Sequence, residues 1–257
     1  EERELEIPES SMYDVISETS CKYPHLYAYN YYGTRVKFKD FLNLIDKASI
    51  AFRNQGIRRG DVVSILMPNT PEAIVSMYAL NKIGAIVEMI HPLSSEIEIK
   101  NYLNSTGSVM LVMIDICYEK VMNIIDETSV YKTIVVSAKD SMGFLMKLGY
   151  EITKGFRIKK PHRKSEYLYW KEFLYKANKY NMNYDVNISA NDPAVILHSG
   201  GTTGNPKSIV LSNSNFNAMT SQIRPLVTKL LPGDKILGIL PIFHGFGLGV
   251  SIHTAMT

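Results

Sequence analysis

A repeated alternation of short apolar runs with helical patterns constrains the fold of this chain more than any other sequence feature. Four runs are almost continuously apolar: 62–67, 85–90, 109–114 and 133–136. Runs of this kind, separated by helices, are typical of a parallel sheet that is buried on both faces. We therefore predict an α/β fold, a layered sandwich of mostly parallel sheets with helices on both faces.

Capping signals mark the helices between these runs. Thr70 followed by Pro71 predicts the N-cap and first residue of a helix that ends near Gly84. Ser95 and Glu98 match a capping box, which predicts a second helix to about 104. Two further helices are predicted, one over 119–127 and an amphipathic one built on Phe38, Phe41, Leu42, Ile45 and Phe52 and closed by Gly56.

Composition excludes several classes of protein. Of the 257 residues, 46% are hydrophobic, which is enough to bury a core and too many for a disordered tail. A formal net charge of +3 is too small for a dedicated nucleic-acid binder, so no nucleic-acid partner is predicted. The two cysteines, Cys21 and Cys117, match neither a disulfide scaffold nor a zinc module and indicate a reducing, cytoplasmic compartment. No apolar run is long enough to predict a membrane-spanning helix.

The pattern changes in a basic insert at about 140–184, within a first lobe that we assign to 1–187. Apolar residues recur there at every fourth position: Phe144, Leu148, Ile152 and Phe156. That spacing predicts one helical face, and seven Lys and Arg residues accompany it between 147 and 164. One interpretation is a surface insert whose apolar stripe packs on the body and whose basic face is solvated. The other is a peripheral contact with an anionic membrane, at the inner surface, through 144–164.

A glycine-rich string follows the apolar run 193–197 and begins the second segment, 188–257. It reads His-Ser-Gly-Gly-Thr-Thr-Gly-Asn-Pro-Lys over 198–207. Successive backbone N–H groups of such a loop can point into one concavity, where phosphate oxygens are good acceptors. Two threonine hydroxyls and the Lys207 ammonium add donors. The string is not a Walker loop, because Pro206 precedes the lysine, and its glycine spacing does not fit the dinucleotide fingerprint.

Residues 199–207 resemble the phosphate-binding loop of the AMP-forming adenylating superfamily, which includes acyl-CoA synthetases, luciferases and peptide-synthetase adenylation domains. The stretch 240–248, Leu-Pro-Ile-Phe-His-Gly-Phe-Gly-Leu, is similar to the next signature of that family. The stretches 61–85 and 90–93 are similar to its early strand-helix-strand and the turn after it. Ser208 departs from the family pattern, which usually has glycine there. The basic insert makes the chain most similar to long-chain fatty acid–CoA ligases.

The resemblance implies a two-step reaction with ATP, Mg²⁺ and coenzyme A. A carboxylate attacks the α-phosphorus of ATP and expels pyrophosphate, and the thiol of coenzyme A then displaces AMP from the acyl-adenylate. His244 would lie near the acyl carboxylate and the thiol channel, unless it is a structural histidine like the others, His253 included. The cofactor-binding residues implied are Ser199, Gly200, Gly201, Thr202, Thr203, Gly204 and Lys207, with Thr202, Thr203, Gly204 and Lys207 at the β- and γ-phosphates. No residue of this chain is assigned as a metal ligand.

Other functions remain open from the sequence. The small-molecule carboxylate could be a fatty acid, which the insert favours, or an aromatic or amino acid. A serine hydrolase using Ser199 or Ser208 with His244 is disfavoured because the Gly-x-Ser-x-Gly elbow is absent. A non-catalytic module that binds a membrane surface or a nucleotide is the third class.

The chain is expected to be the incomplete N-terminal part of an adenylating enzyme, inactive by itself. It begins at Glu1 without Met, ends soon after His244, and has one acidic residue after Lys207, Asp234. The Mg²⁺ ligand, the ribose-binding acid and the C-terminal lysine that the resemblance implies would lie beyond Thr257. A strand predicted over 235–241 would lack neighbours, so we expect an exposed apolar edge and self-association.

Overall fold

A mostly parallel sheet of seven strands organises the protein. The computed structural model describes residues 5–143, 146–148, 167–177, 186–199, 207–226 and 230–257. The helices are α1 (Met12–Lys22), α2 (Phe38–Asn54), α3 (Pro71–Lys82), α4 (Glu96–Thr106), α5 (Tyr118–Met122), α6 (Trp170–Ala177) and α7 (Asn213–Ile223). The strands are β1 (Tyr27–Tyr31), β2 (Thr34–Lys37), β3 (Val62–Leu66), β4 (Ile86–Ile90), β5 (Met110–Ile114), β6 (Lys132–Val136), β7 (Tyr167–Tyr169), β8 (Pro193–Ser199) and β9 (Lys207–Ser212).

The strand order places the predicted apolar runs at the centre of the sheet. The order is β7-β6-β5-β3-β4-β8-β9, and every pair is parallel except β8 with β9. The connection from β3 to β4 runs in the opposite direction across the sheet from the connection between β4 and β5. Right-handed crossovers in opposite directions place α3 and α4 on opposite faces. The predicted α/β architecture, with helices on both faces, is confirmed.

The predicted capping signals form as expected. The Thr70 hydroxyl accepts a hydrogen bond from the Ala73 N–H, and Pro71 is the first residue of α3. Ser95 and Glu98 form the complete capping box of α4. Gly84 adopts φ +74°, a left-handed conformation that favours glycine and ends the turn after α3. Local hydrogen bonds therefore determine where both helices begin.

Two predicted elements differ from the structure. The helix expected over 119–127 is shorter, because α5 ends at Met122 and a 3-10 turn follows at Ile125–Glu127. The strand expected over 235–241 does not form, since no described strand lies beside it. The side chain of Asn69 holds this segment instead: its Nδ2 donates to the carbonyls of Gly238 and Leu240 at 2.9 and 2.8 Å. The apolar side chains of the segment are exposed, Leu237 by 82% and Ile239 by 68%.

The last segment packs against α7 through a π-helix, Gly247–Thr254. Gly247 is required at its start, because a Cβ atom there would lie 2.0 Å from the Pro241 carbonyl oxygen. The buried His253 of this helix contacts Tyr78 of α3 and Asn217 of α7. These contacts anchor the chain that follows His244 to the helical layer on the α3 side of the sheet.

A candidate active site at the carboxyl edge of the sheet

The hairpin formed by β8 and β9 carries the glycine-rich string. Ser199 pairs with Lys207 across the antiparallel ladder, so the string begins and ends at one point of the sheet. Gly200, Gly201, Thr202, Thr203 and Gly204 lie outside the described residues. Because β8 is parallel to β4, the string leaves the sheet at the edge where the parallel strands have their carboxyl ends. Open α/β sheets bind their ligands outside that edge.

Lys207 is exposed at the end of this hairpin loop. It forms no ion pair with any residue that the structure describes. The Ser199 hydroxyl lies 3.5 Å from the Lys207 carbonyl oxygen, which links the two ends of the loop. An unpaired ammonium beside a glycine-rich loop is suited to an anionic ligand.

His244 lies at the same edge, next to a second histidine. His91 directly follows β4, and its ring centroid lies 4.1 Å from that of Phe243 and 6.4 Å from that of His244. Asn69, shortly after β3, accepts a hydrogen bond from the Ile242 N–H and so positions the chain just before His244. The carboxyl ends of β3 and β4 thus hold the His244 segment, while β8 presents the glycine-rich string.

His91 is a site residue that the sequence analysis missed, since it had grouped His91 with the structural histidines. The His91 Nδ1 accepts a hydrogen bond from the Leu93 N–H at 2.9 Å, so the neutral ring carries its proton on Nε2. Partial burial, with a further contribution from nearby His244, lowers the pKa of His91 below its ordinary value. Two signals could have identified it: its position in the turn after a buried strand, and the similarity of 90–93 to the corresponding turn of the adenylating family.

Glu88 and His198 form a second pair that the sequence analysis did not predict. Glu88 is fully buried in β4, and its Oε1 lies 3.0 Å from the His198 Nε2. The other carboxylate oxygen accepts a hydrogen bond from the Ser64 hydroxyl. The sequence did contain a signal for this pair: Glu88 is a charged residue inside the otherwise apolar strand β4, and a buried carboxylate requires hydrogen-bond partners.

Ser208 is paired with a different histidine from the one that the hydrolase alternative required. Its hydroxyl lies 3.3 Å from the His198 Nδ1. The described ring contacts of His244 are those with His91 and Phe243. The Ser208–His244 arrangement is therefore not formed among the described residues.

The described residues do not fit a magnesium ion. They contain no group of three His, Cys, Asp or Glu side chains that could hold a metal. Glu88, the carboxylate beside the hairpin, is buried with both oxygens engaged by Ser64 and His198.

The predicted membrane contact falls mostly outside the described residues. Of the apolar stripe, Phe144, Ile152 and Phe156 lie outside them, and Leu148 is half exposed. Among the helices that the structure describes, none combines the length and apolar character needed to cross a bilayer.

Comparison with known protein families covers nearly the whole chain. The model of the family described as AMP-binding enzyme matches residues 16–257. A long-chain-fatty-acid–CoA ligase from Bacillus subtilis is 26% identical over 247 residues, which are 95% of this chain and 44% of that protein. A probable 4-coumarate–CoA ligase from Dictyostelium discoideum is 28% identical over 213 residues, covering 81% of this chain and 36% of that protein. The chain spans less than half the length of these relatives.

Solved structures share the fold. A long-chain-fatty-acid–CoA ligase from Archaeoglobus fulgidus matches with a TM-score of 0.75 at 22% identity, over 98% of this chain and 46% of that one. An anthranilate–CoA ligase in complex with anthranoyl-AMP also gives a TM-score of 0.75, at 15% identity over 97% of this chain and 44% of that one. At these identities the likeness extends to the fold alone.

Proposed function

The chain belongs to the AMP-binding enzyme family, and from this premise we propose that it supplies the phosphate-binding part of an AMP-forming acid–thiol ligase. The observation that carries the proposal is the pairing of Ser199 with Lys207 at the carboxyl edge of the sheet, the edge at which His91 and His244 also lie. This arrangement brings an anion-binding loop and titratable imidazoles to the same edge. The reaction has two steps, adenylate formation and transfer of the acyl group to coenzyme A.

The hairpin loop acts in the first step. A carboxylate oxygen forms a bond to the α-phosphorus of ATP, and the bond from that phosphorus to the bridging oxygen breaks, releasing pyrophosphate. Both reactants are anions, so repulsion between them is the main barrier that fixed donors can lower. We assign Thr202, Thr203, Gly204 and Lys207 to the β- and γ-phosphates, where backbone N–H groups, hydroxyls and the ammonium neutralise the leaving group. Ser199, Gly200 and Gly201 complete the loop.

His244 acts near the acyl group and in the second step. The thiol sulfur of coenzyme A forms a bond to the acyl carbon, and the bond from that carbon to the AMP oxygen breaks. The thiol proton must leave, and an imidazole nitrogen can accept it. The His244 ring is exposed at the edge of the sheet, where it can reach a bound thiol.

The favoured carboxylate is a fatty acid. Support comes from the similarity to long-chain-fatty-acid–CoA ligases along nearly the whole chain. The second candidate is a hydroxylated aromatic acid, because the 4-coumarate–CoA ligase relative has a slightly higher identity over a shorter stretch. Both candidates use the same adenylation chemistry.

Pyrophosphate exchange tests this proposal in the natural protein that carries this chain. Labelled pyrophosphate is supplied with ATP and one acid at a time, from fatty, aromatic and amino acid panels. We expect label in ATP with fatty acids, and slower incorporation of label at subsaturating ATP in the Lys207→Ala variant. Exchange with aromatic acids alone would select the second candidate, and no exchange with any acid would contradict adenylation.

We also propose a lobe organisation and a cellular location for the protein. We assign 1–187 to a first lobe and 188–257 to the phosphate-loop segment and the start of a second lobe, with β8 and β9 of the latter completing the sheet of the former. We place the protein in the cytoplasm, with peripheral membrane contact through 144–164.

The 257-residue chain alone should not form an adenylate, because its described residues offer neither a metal site nor a free carboxylate beside the hairpin.

A further inference from the structure

A line of polar side chains crosses four neighbouring strands and ends at the base of the hairpin. Ser64, Glu88, His198 and Ser208 belong to β3, β4, β8 and β9, which are adjacent in this order. Glu88 is in register with Ser64 on one side and with Ile196 on the other. His198 lies two positions beyond Ile196, so its side chain shares the face of Glu88. His198 is in turn the cross-strand partner of Ser208.

The buried end of this line determines how its hydrogen bonds are directed. Ser64 and Glu88 have no exposed surface, and the His198 side chain is 8% exposed. The Glu88 carboxylate accepts from the Ser64 hydroxyl and faces the His198 Nε2, which must donate to it. The His198 Nδ1 therefore faces the Ser208 hydroxyl, at 3.3 Å, as the only remaining polar atom of the ring.

One face of the imidazole ring of His198 is also covered by an aromatic ring. The Tyr102 ring of α4 stacks on it with centroids 3.8 Å apart and an interplanar angle of 21°. With Glu88 bound at one edge and Ser208 at the other, the ring is fixed in position and orientation.

The line of polar side chains ends in β9, a strand at the edge of the sheet. β9 is the edge strand of the sheet and pairs with β8 alone among the described strands. Two of its apolar side chains are exposed, Ile209 by 46% and Val210 by 56%, while the third, Leu211, is partly buried against the core. The hydrogen bond from Ser208 therefore connects an exposed edge strand to the buried centre of the sheet, one residue from Lys207.

We propose that His198 is a positioning residue, which Glu88 and Tyr102 hold in place and which fixes the base of the β8–β9 hairpin through Ser208. This inference rests on the proposed function, since the hairpin carries the loop assigned to the ATP phosphates. A hairpin base that is free to shift would move Lys207 and the loop donors away from the polyphosphate. His198 thus acts on ATP binding without touching ATP.

Hydrogen exchange of the β9 amides tests, without any substrate, whether the His198–Ser208 contact fixes the base of the hairpin. We call this contact the clamp. Ser208→Ala removes the terminal hydrogen bond, and we expect the β9 amides to exchange about fivefold faster, the equivalent of about 1 kcal/mol for one hydrogen bond. Ser208→Thr retains the hydroxyl and should restore the slow exchange. Val210→Thr, a nearly isosteric change on the same exposed strand, is the matched control and should leave exchange unchanged.

A second variant addresses the histidine itself. His198→Phe alone would leave one oxygen of the buried Glu88 carboxylate without a partner and could prevent folding, so it is combined with Glu88→Gln. The double variant keeps an aromatic ring that can stack on Tyr102 but cannot form a hydrogen bond with Ser208, and we expect the same faster exchange at β9. Unchanged β9 exchange in both Ser208→Ala and the double variant would overturn the inference.

Kinetics then separate positioning from general stability. In the natural protein, Ser208→Ala should raise KM for ATP about fivefold and leave KM for the carboxylate unchanged. A lower melting temperature with unchanged KM for ATP would indicate a merely structural contact and overturn the inference. Absence of pyrophosphate exchange in the wild type would instead overturn the proposed function, while the exchange of the β9 amides would still decide whether the clamp exists.

Discussion

The phenolic oxygen of Tyr78 lies 3.0 Å from the Nδ1 of His253, and neither side chain has any exposed surface. The other ring nitrogen, Nε2, lies 3.0 Å from the Oδ1 of Asn217. The Nδ2 of Asn217 donates to the carbonyls of Pro8 and Ser10, so its Oδ1 must be an acceptor. His253 therefore carries its proton on Nε2, and Tyr78 donates to Nδ1. This chain of hydrogen bonds joins α3, α7, the π-helix and the N-terminal segment.

The first prediction is that His253 makes stability depend on pH. Burial lowers the pKa of His253 to about 3, so the unfolded state binds a proton between about pH 6.5 and pH 3 and the folded state does not. Stability is therefore lost as the pH falls through this range. The variant His253→Gln has no titrating group at this position. Relative to it, the free energy of unfolding of the wild type should fall by about 1 kcal/mol between pH 6 and pH 5. Urea unfolding at both pH values measures this, and a constant difference between the two proteins would contradict it.

The second prediction concerns Lys207. We assign its ammonium to the ATP phosphates, and it forms no ion pair with a described residue, so Lys207→Ala should leave the melting temperature unchanged. A charge-assisted hydrogen bond is worth about 1.5–3 kcal/mol, so kcat/KM for ATP should fall roughly ten- to a hundredfold. Lys235→Ala, another exposed lysine of the same segment, is the control and should behave as the wild type. Unaltered rates at subsaturating ATP in Lys207→Ala would remove the lysine from the phosphate site.

The third prediction separates the two half-reactions at His244. Replacing this imidazole by alanine should slow acyl-CoA formation by about a hundredfold, the usual size of general base catalysis. Pyrophosphate exchange should be affected less, because the hairpin loop remains intact. Rapid-quench measurement of the adenylate and the thioester distinguishes the steps. Equal losses in the rates of adenylate and thioester formation would show that His244 acts on the acyl group in the first step, before the thiol binds.

The fourth prediction concerns the basic insert. If its apolar stripe faces lipid, the intact protein should sediment with anionic vesicles and be released at high salt, since screening weakens the attraction. Changing Lys159, Lys160, Arg163 and Lys164 to Glu should abolish this binding. Vesicles of zwitterionic lipid are the control. Equal sedimentation of wild type and variant, or none by either, would favour the solvated insert.

The fifth prediction concerns self-association of the 257-residue chain. The side chains of Leu237 and Ile239 are largely exposed in a segment without a described neighbouring strand. Burying them between two copies removes apolar surface from water, so sedimentation velocity should show association that increases with concentration. Changing both residues to lysine should give a monomer. A wild-type chain that stays monomeric at high concentration would contradict the prediction.

Short-range signals predicted the fold well. The caps at Thr70 and Ser95 depend on hydrogen bonds to residues three positions away, which the sequence places together. The central strands were predictable because each is apolar on both faces. The strand expected over 235–241 was wrong for a related reason: apolar pattern alone cannot supply a neighbouring strand, and Asn69 binds this backbone instead.

The sequence by itself determined the α/β class, the helix starts and the presence of the glycine-rich string after a strand, because periodicity, capping and loop composition are properties of neighbouring residues. Only the tertiary structure decided the polar partners. Glu88 and His198 are 110 positions apart, and Tyr78 and His253 are 175 apart. A buried polar group must find a partner, yet strand order and helix packing decide which one lies within reach.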